Sequence, residues 1–223
     1  MPAVDQTRLE VELAETREQL AATSEILSVL ASSSSVQDDV FDAIVENARR
    51  LCRAQVAQIH VVQGDVYSLA RSAGLTPELV EFSAAHPIAQ DRGTLVGRVS
   101  LDRTTQQIAD VLADPGYGRR EFQRLGGYRT IMGAPMLVDD EVVGVLSVWR
   151  TAVEPFDERV ASLLTTFAAQ AALALRSVQL VRALRRRSAQ LARKVEQLEA
   201  LAEVGKAVSS SLDADEVLTT IVT

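Results

Sequence analysis

Cysteine occurs once in this sequence, at Cys52. A single thiol excludes an internal disulfide framework and any zinc site built on four cysteines. Histidine occurs twice, at His60 and His86. No serine, cysteine or carboxylate motif recurs around either, so no catalytic triad or nucleophile–base pair can be read. Aromatic residues make up 4% of the chain, too few for a surface that stacks bases. A basic excess is missing too: the formal charge of −7 gives no attraction for DNA, RNA or anionic lipid. No uninterrupted apolar run approaches the roughly 18 residues of a membrane-spanning helix, and no signal-peptide pattern is present. These absences predict a cytoplasmic protein with no nucleic-acid partner, no metal site and no membrane-inserted segment.

Apolar residues are plentiful, 47% of 223, enough for one medium domain with extensions or two small ones. Their spacing divides the chain. Within 1–34, Leu13, Leu20 and Leu27 recur every seventh residue, and Leu9, Thr16, Thr23 and Leu30 form an offset series. These are the a and d positions of a coiled-coil seam. Glu12 at g and Arg17 at the following e have the spacing of an ion pair in a parallel dimer. The alternative is one amphipathic helix packed on its own domain. A second seam runs over 181–208. Val181, Ser188, Val195 and Ala202 form its a series, and Leu184, Leu191, Leu198 and Gly205 its d series. A homodimer through parallel helices is therefore expected, with contacts at Leu13, Leu20, Leu27, Leu184, Leu191, Val195 and Leu198. From Arg176 to Lys206 eight Lys or Arg face three Glu; with no aromatics interleaved, this reads as a solvated helix face.

Between the seams, residues 35–180 alternate helix and strand patterns. A helix capped by Ser35 runs to about Ala54, with Val40, Ile44, Ala48 and Leu51 on one face. Cys52 lies on that apolar side and is expected to be a buried, inert thiol. Strands at Gln55–Val62 and Val66–Ala73 flank the turn Gln63-Gly64-Asp65. Thr76 to Ala85 reads as a short helix, and Pro87 makes its neighbours extended. A helical turn follows at Leu95–Leu101, then a short strand at Gln106–Ala109, a loop at Asp114-Pro115-Gly116 and a short helix at Arg119–Leu125. Two apolar runs, Tyr128–Val138 and Val142–Trp149, enclose Asp139-Asp140-Glu141 and read as a hairpin in a sheet buried on both faces. Pro135 cannot donate to the ladder, so an irregularity is expected there. From Phe156 a long helix keeps Val160, Leu164, Phe167, Ala171 and Leu175 on its core side.

The stretch Gly93–Trp149 carries a resemblance. Gly93, Gly97-Arg98, Ile108-Ala109-Asp110, Asp114-Pro115, Leu125 to Thr130, Ala134-Pro135-Met136, Val143 to Leu146 and Pro155-Phe156 occur in an order that resembles the GAF domain, a small sensory fold. The resemblance covers roughly Val36 to Leu180. It implies an α/β (α+β) architecture: a GAF-like antiparallel sheet with helices on both faces, here flanked by long N- and C-terminal coiled-coil helices. In such folds a ligand lies between the sheet and the central segment. The polar residues of that segment nominated as ligand-binding are His86, Arg98, Asp110, Tyr117, Tyr128 and Arg129. The competing reading pairs Arg98 with Asp110 to hold the segment down.

The resemblance also limits the ligand. GAF-type sulfoxide reductases need a pair of redox cysteines, and bilin attachment needs a cysteine in the central region; this chain has neither. Haem-binding relatives use an axial histidine, for which His86 is the candidate. The cyclic-nucleotide signature has an Asn-Lys pair and a Phe followed four residues later by Asp-Glu, where this chain has Arg150-Thr151 and Val160-Ala161. The cofactor is therefore unknown. The chain also repeats itself: Glu25, Ser32 to Ser34, Val40 and Ile44-Val45 align with Glu203, Ser209 to Ser211, Val217 and Ile221-Val222. The tail 209–223 is thus expected to open a second, truncated GAF-like domain. The expected function is a non-enzymatic sensory and dimerisation module. It would relay a small ligand or partner through a parallel coiled coil to an output such as a histidine kinase or nucleotide cyclase domain. The alternative is a ligand-free structural dimerisation scaffold. A cavity of a few hundred Å³ would favour the sensor and a filled interior the scaffold.

Overall fold

The computed structural model describes residues 36–180 and, beyond them, the helical positions 183, 187, 190 and 193. The chain divides into two units between Arg176 and Ser177, and the sheet belongs to the first. The N-terminal helix expected over 1–34, the seam residues Leu13, Leu20, Leu27, Leu184, Leu191, Val195 and Leu198, and the tail 209–223 lie outside the described residues.

Helix α1 spans Val36–Leu51. Val40, Phe41, Ile44, Val45 and Ala48 form its buried stripe, the i, i+4 pattern of a helix with one covered face. It ends short of the expected Ala54 because Arg53 adopts a left-handed conformation, φ 49°, which turns the chain into the sheet. Strands β1 (Val56–Gln63) and β2 (Val66–Ala73) pair from Gln63↔Val66 onward. Gly64 supplies the positive φ of 62° that the turn needs. Helix α2 (Pro77–Ala85) starts as its Thr-Pro-Glu opening predicts: the Thr76 side chain accepts from the Leu79 amide.

Strand β3 (Ile88–Ala89) leads into α3 (Leu95–Asp102), a full helix where a single turn was expected. Thr94 caps it, accepting from the Gly97 amide at 3.0 Å. Gly97 is obligatory here, since a Cβ would stand 1.7 Å from the Asp91 carbonyl oxygen. Strand β4 (Gln106–Ile108), helix α4 (Arg120–Gly126), strands β5 (Thr130–Val138) and β6 (Glu141–Arg150), and helix α5 (Glu158–Leu180) complete the described chain. The β5–β6 turn has φ 50° at Asp139 and 68° at Asp140, the doubly positive geometry of a tight hairpin. Pro135 itself stays in register with Val145, and the irregularity expected there falls further on, as a register shift between Met136 and Leu137.

The six strands form one antiparallel sheet in the order β3-β2-β1-β6-β5-β4. Period-two alternation sorts the side chains. Ile59, Met132, Ala134, Leu146 and Val148 face a core built with α1 and with Leu164, Phe167, Ala168, Ala171 and Ala172 of α5. Val56, Ile131, Val145 and Trp149 face a second core under α2, α3 and α4. Both faces are thus covered, as the apolar runs predicted. Helix α5 is long and apolar enough to cross a membrane by length and composition alone. Part of its apolar stripe, Leu164, Phe167, Ala168, Ala171 and Ala172, is occupied by the first core.

Candidate functional site

The middle of the central strands carries a cluster of buried polar residues, apart from Thr130 and Arg150 at the strand ends. A strand covered on both faces normally reads as a continuous apolar run. Yet Gln58 and His60 of β1 are each 3% exposed, and Ser147 of β6 is 0% exposed. Gln58 and Ser147 are direct cross-strand partners, and His60 lies two residues along the same face. They form one wall of a cavity of about 20 Å³, room for about one water molecule. Thr94, the cap of α3, with Leu95 and Val96 of α3 and Ile88 of β3, closes it on one side. Tyr117, Arg119, Phe122, Tyr128 and Ile131 close it on the other.

Four buried atoms of this lining lack a hydrogen-bond partner: Gln58 Nε2, His60 Nδ1, Ser147 Oγ and Arg119 Nε. Each unmet group costs about 1–3 kcal/mol, so four around one void call for a polar occupant, a water molecule or a ligand group. The Tyr117 and Tyr128 hydroxyls bond each other, with their rings edge to face. Burial raises both phenols; for Tyr128 the neighbouring Tyr117 adds to the rise. Burial, and then the charge of Arg119, lowers His60 to about 3, so the imidazole is neutral at physiological pH. Burial also lowers Arg119. Its guanidinium carbon lies 4.7 Å from the Phe122 ring centroid. No Asp or Glu lines the cavity.

Arg150 shows what a structural arginine looks like in this fold. Its guanidinium donates to the carbonyls of Cys52 at 3.0 Å, Arg53 at 3.3 Å and Glu154 at 3.2 Å. It also covers the Phe156 ring at 4.1 Å. Arg119 has no such set among the described residues.

Of the residues nominated from sequence, Tyr117 and Tyr128 line the cavity. The other four are placed elsewhere. Arg98 donates to Asp114 at 2.5 Å, not to Asp110, and its Nε donates to the Arg92 carbonyl. Arg129 grips Asp110 with two bonds of 2.8 and 2.6 Å. These pairs, with Arg92–Asp102, pin the central segment to itself around the cavity. His86 is exposed; its Nδ1 donates to the Phe82 carbonyl at 2.9 Å and its ring stacks on Phe82. Sequence reading passed over Gln58, His60, Ser147, Thr94 and Arg119. Gln58 and His60 did carry a signal, alternate polar residues in a strand, which looks the same as a solvent-facing edge.

Among the described residues no group of three or more His, Cys, Asp or Glu is placed to hold a metal ion. Cys52 is buried, and burial pushes its thiol up to about 12, the opposite of an activated thiolate.

Comparison with curated protein sequences found no match. Solved structures of similar fold are numerous. The GAF domain of a phosphoenolpyruvate-protein phosphotransferase from Coxiella burnetii is 18% identical with a TM-score of 0.65, over 76% of this chain and 96% of that one. A methyl-accepting chemotaxis protein is 20% identical with a TM-score of 0.59, over 73% and 99%. Free methionine-R-sulfoxide reductase from Neisseria meningitidis, solved with its substrate, is 19% identical with a TM-score of 0.58, over 71% and 88%. At these identities the likeness is one of fold. The family model of the GAF domain matches residues 35–176, and the chain belongs to that family.

Proposed function

We propose that this chain is a sensory module in which the cavity under α3 receives a small molecule. One observation carries the reading: the middle of a doubly covered sheet holds unmet polar groups that converge on a single void. In an apolar scaffold those positions would be Val or Ile. Strands β1 and β6 carry the cavity on one face; on the other, Ile59, Leu146 and Val148 share a core with α5. A ligand that shifts these two strands therefore acts directly on the helix packed behind them. The seam residues of 181–208 extend the proposal to a parallel homodimer that relays this shift to a kinase or cyclase domain in a longer cytoplasmic parent. The module itself is read as non-enzymatic. Its fold is shared with a reductase, but its single thiol is buried and held protonated.

The size of the void supports a second reading, the ligand-free scaffold. About 20 Å³ is far below the several hundred Å³ of a typical ligand site. The sensor reading requires α3 and the 117–119 loop to move outward when ligand enters. A small-molecule extract of the producing cells separates the two. Added to ligand-stripped protein, it should raise Tm by several degrees and leave the Gln58→Leu/Ser147→Ala variant unmoved. If neither protein responds, the scaffold reading replaces the sensor.

A further inference from the structure

The lining of the cavity is unbalanced in charge, and this defines what it takes. It presents donors from Arg119, Gln58, Ser147 and the tyrosine pair, and no carboxylate. Arg119 is its one formal cation. The ion pairs of the surrounding segment are closed: Arg92 with Asp102, Arg98 with Asp114, Arg129 with Asp110. Arg119 is left out of them, with a buried Nε that has no partner. His60, 3% exposed, and Ser147, 0% exposed, bring further unpartnered polar atoms to the same void. We propose that the ligand is a small monoanion of the carboxylate class, whose acid group is received by Arg119 and whose short remainder sits over Gln58, His60 and Ser147. The inference rests on the pocket reading given above.

Charge and size select this class. A planar guanidinium pairs a carboxylate through two parallel hydrogen bonds. One monoanion neutralises one arginine, whereas a phosphate dianion would leave a charge uncompensated in a site where desolvation is costly. Neutral His60 supplies either a donor or an acceptor to the remainder of the ligand, so a hydroxyl or keto group suits it. A void of about 20 Å³ is one water in size, so even an acetate-sized molecule needs α3 and the 117–119 loop to move outward; a nucleotide would require the roof to be rebuilt. The apolar remainder of the lining, Leu95, Val96 and Ile131, suits a short carbon chain and no second charge.

Titration calorimetry on the whole chain tests this with acetate, pyruvate and lactate, with acetamide and lactamide as neutral matches, and with inorganic phosphate. Sodium chloride is held constant throughout. At least one carboxylate should bind saturably and at least tenfold more tightly than its amide and than phosphate. Arg119→Gln should lose at least tenfold for that carboxylate, with Arg119→Lys in between because it keeps the charge without the fork. Circular dichroism of Arg119→Gln establishes that it is folded. Amides that bind as well as acids, or undiminished acid binding to Arg119→Gln, would overturn the anion inference while leaving the pocket in place. Binding by no probe of either class would overturn both.

Discussion

His60 shows how one residue can report on the site. Its ordinary value is 6.5 and its folded value about 3. Below pH 6.5 the unfolded chain takes up a proton that the folded chain refuses. The contribution of this residue is therefore complete above pH 6.5 and is lost as pH falls toward 3, at up to about 1.4 kcal/mol per unit. Between pH 6.5 and 5, before most carboxylates titrate, urea unfolding of the native chain should weaken with this slope and that of His60→Gln should not. Parallel slopes would contradict a buried neutral imidazole. Asp110 behaves differently. The Arg129 hydrogen bonds hold its carboxyl below the usual range, so its contribution is present above about pH 4 and is lost as pH falls through the lower folded value. Arg129→Ala should lower Tm slightly at pH 7 and not at all once Asp110 is protonated; an equal loss at both pH values would assign the effect to packing. Ser147→Ala removes an orphan hydroxyl and should raise stability by about 1 kcal/mol while weakening ligand binding, a trade common at sites. At this scale the sequence was only partly legible. Tyr117 and Tyr128 stood out because they interrupt a segment dense in Gly and Arg. Arg119 did not, because adjacent Arg119 and Arg120 look identical in a string. Only folding sends Arg120 to the Val111 and Asp114 carbonyls and Arg119 to the void.

Elements were read more completely than residues, because their signals are local. The β1–β2 hairpin follows from Gly64 between two apolar runs, and α2 from Thr76-Pro77-Glu78. The β5–β6 bulge lies near Pro135 but not at it, between Met136 and Leu137. Helix α3 was underestimated as one turn because Gly97 weakens its propensity. Its length is set by tertiary fit, with Thr94 capping and Gly97 admitting the Asp91 backbone. Gly97→Ala must push α3 from that backbone and should destabilise by about 1–3 kcal/mol, as overpacking does, measured from the urea midpoint; an unchanged midpoint would mean that the Asp91 loop yields freely. The seams belong to this scale as well. If the proposed parallel dimer forms, cysteine at Leu191 should cross-link to itself under mild oxidation, and cysteine at Gln190 should do so poorly, since Leu191 falls on d and Gln190 beside it. Equal reaction at both positions would contradict the parallel seam.

At the scale of the molecule, a sheet with a polar void on one face packs a helix on its other face. The GAF fold explains the sheet and its coverings; it does not choose between a ligand site and a filled scaffold. That choice rests on a few polar side chains in β1 and β6 and on Arg119, which sequence reading had passed over because burial is a tertiary property. If the helix behind the sheet carries the signal, heptad phase in 181–208 matters. Inserting four residues after Leu191 in the parent protein should change output strongly, and inserting seven should restore much of it. Native mass spectrometry of protein purified gently from its own cells reaches the central claim most directly. The account predicts a subunit mass excess from a small bound molecule, lost on denaturation and absent from the Gln58→Leu/Ser147→Ala variant. Native subunits without any excess, or the same excess on the variant, would contradict it.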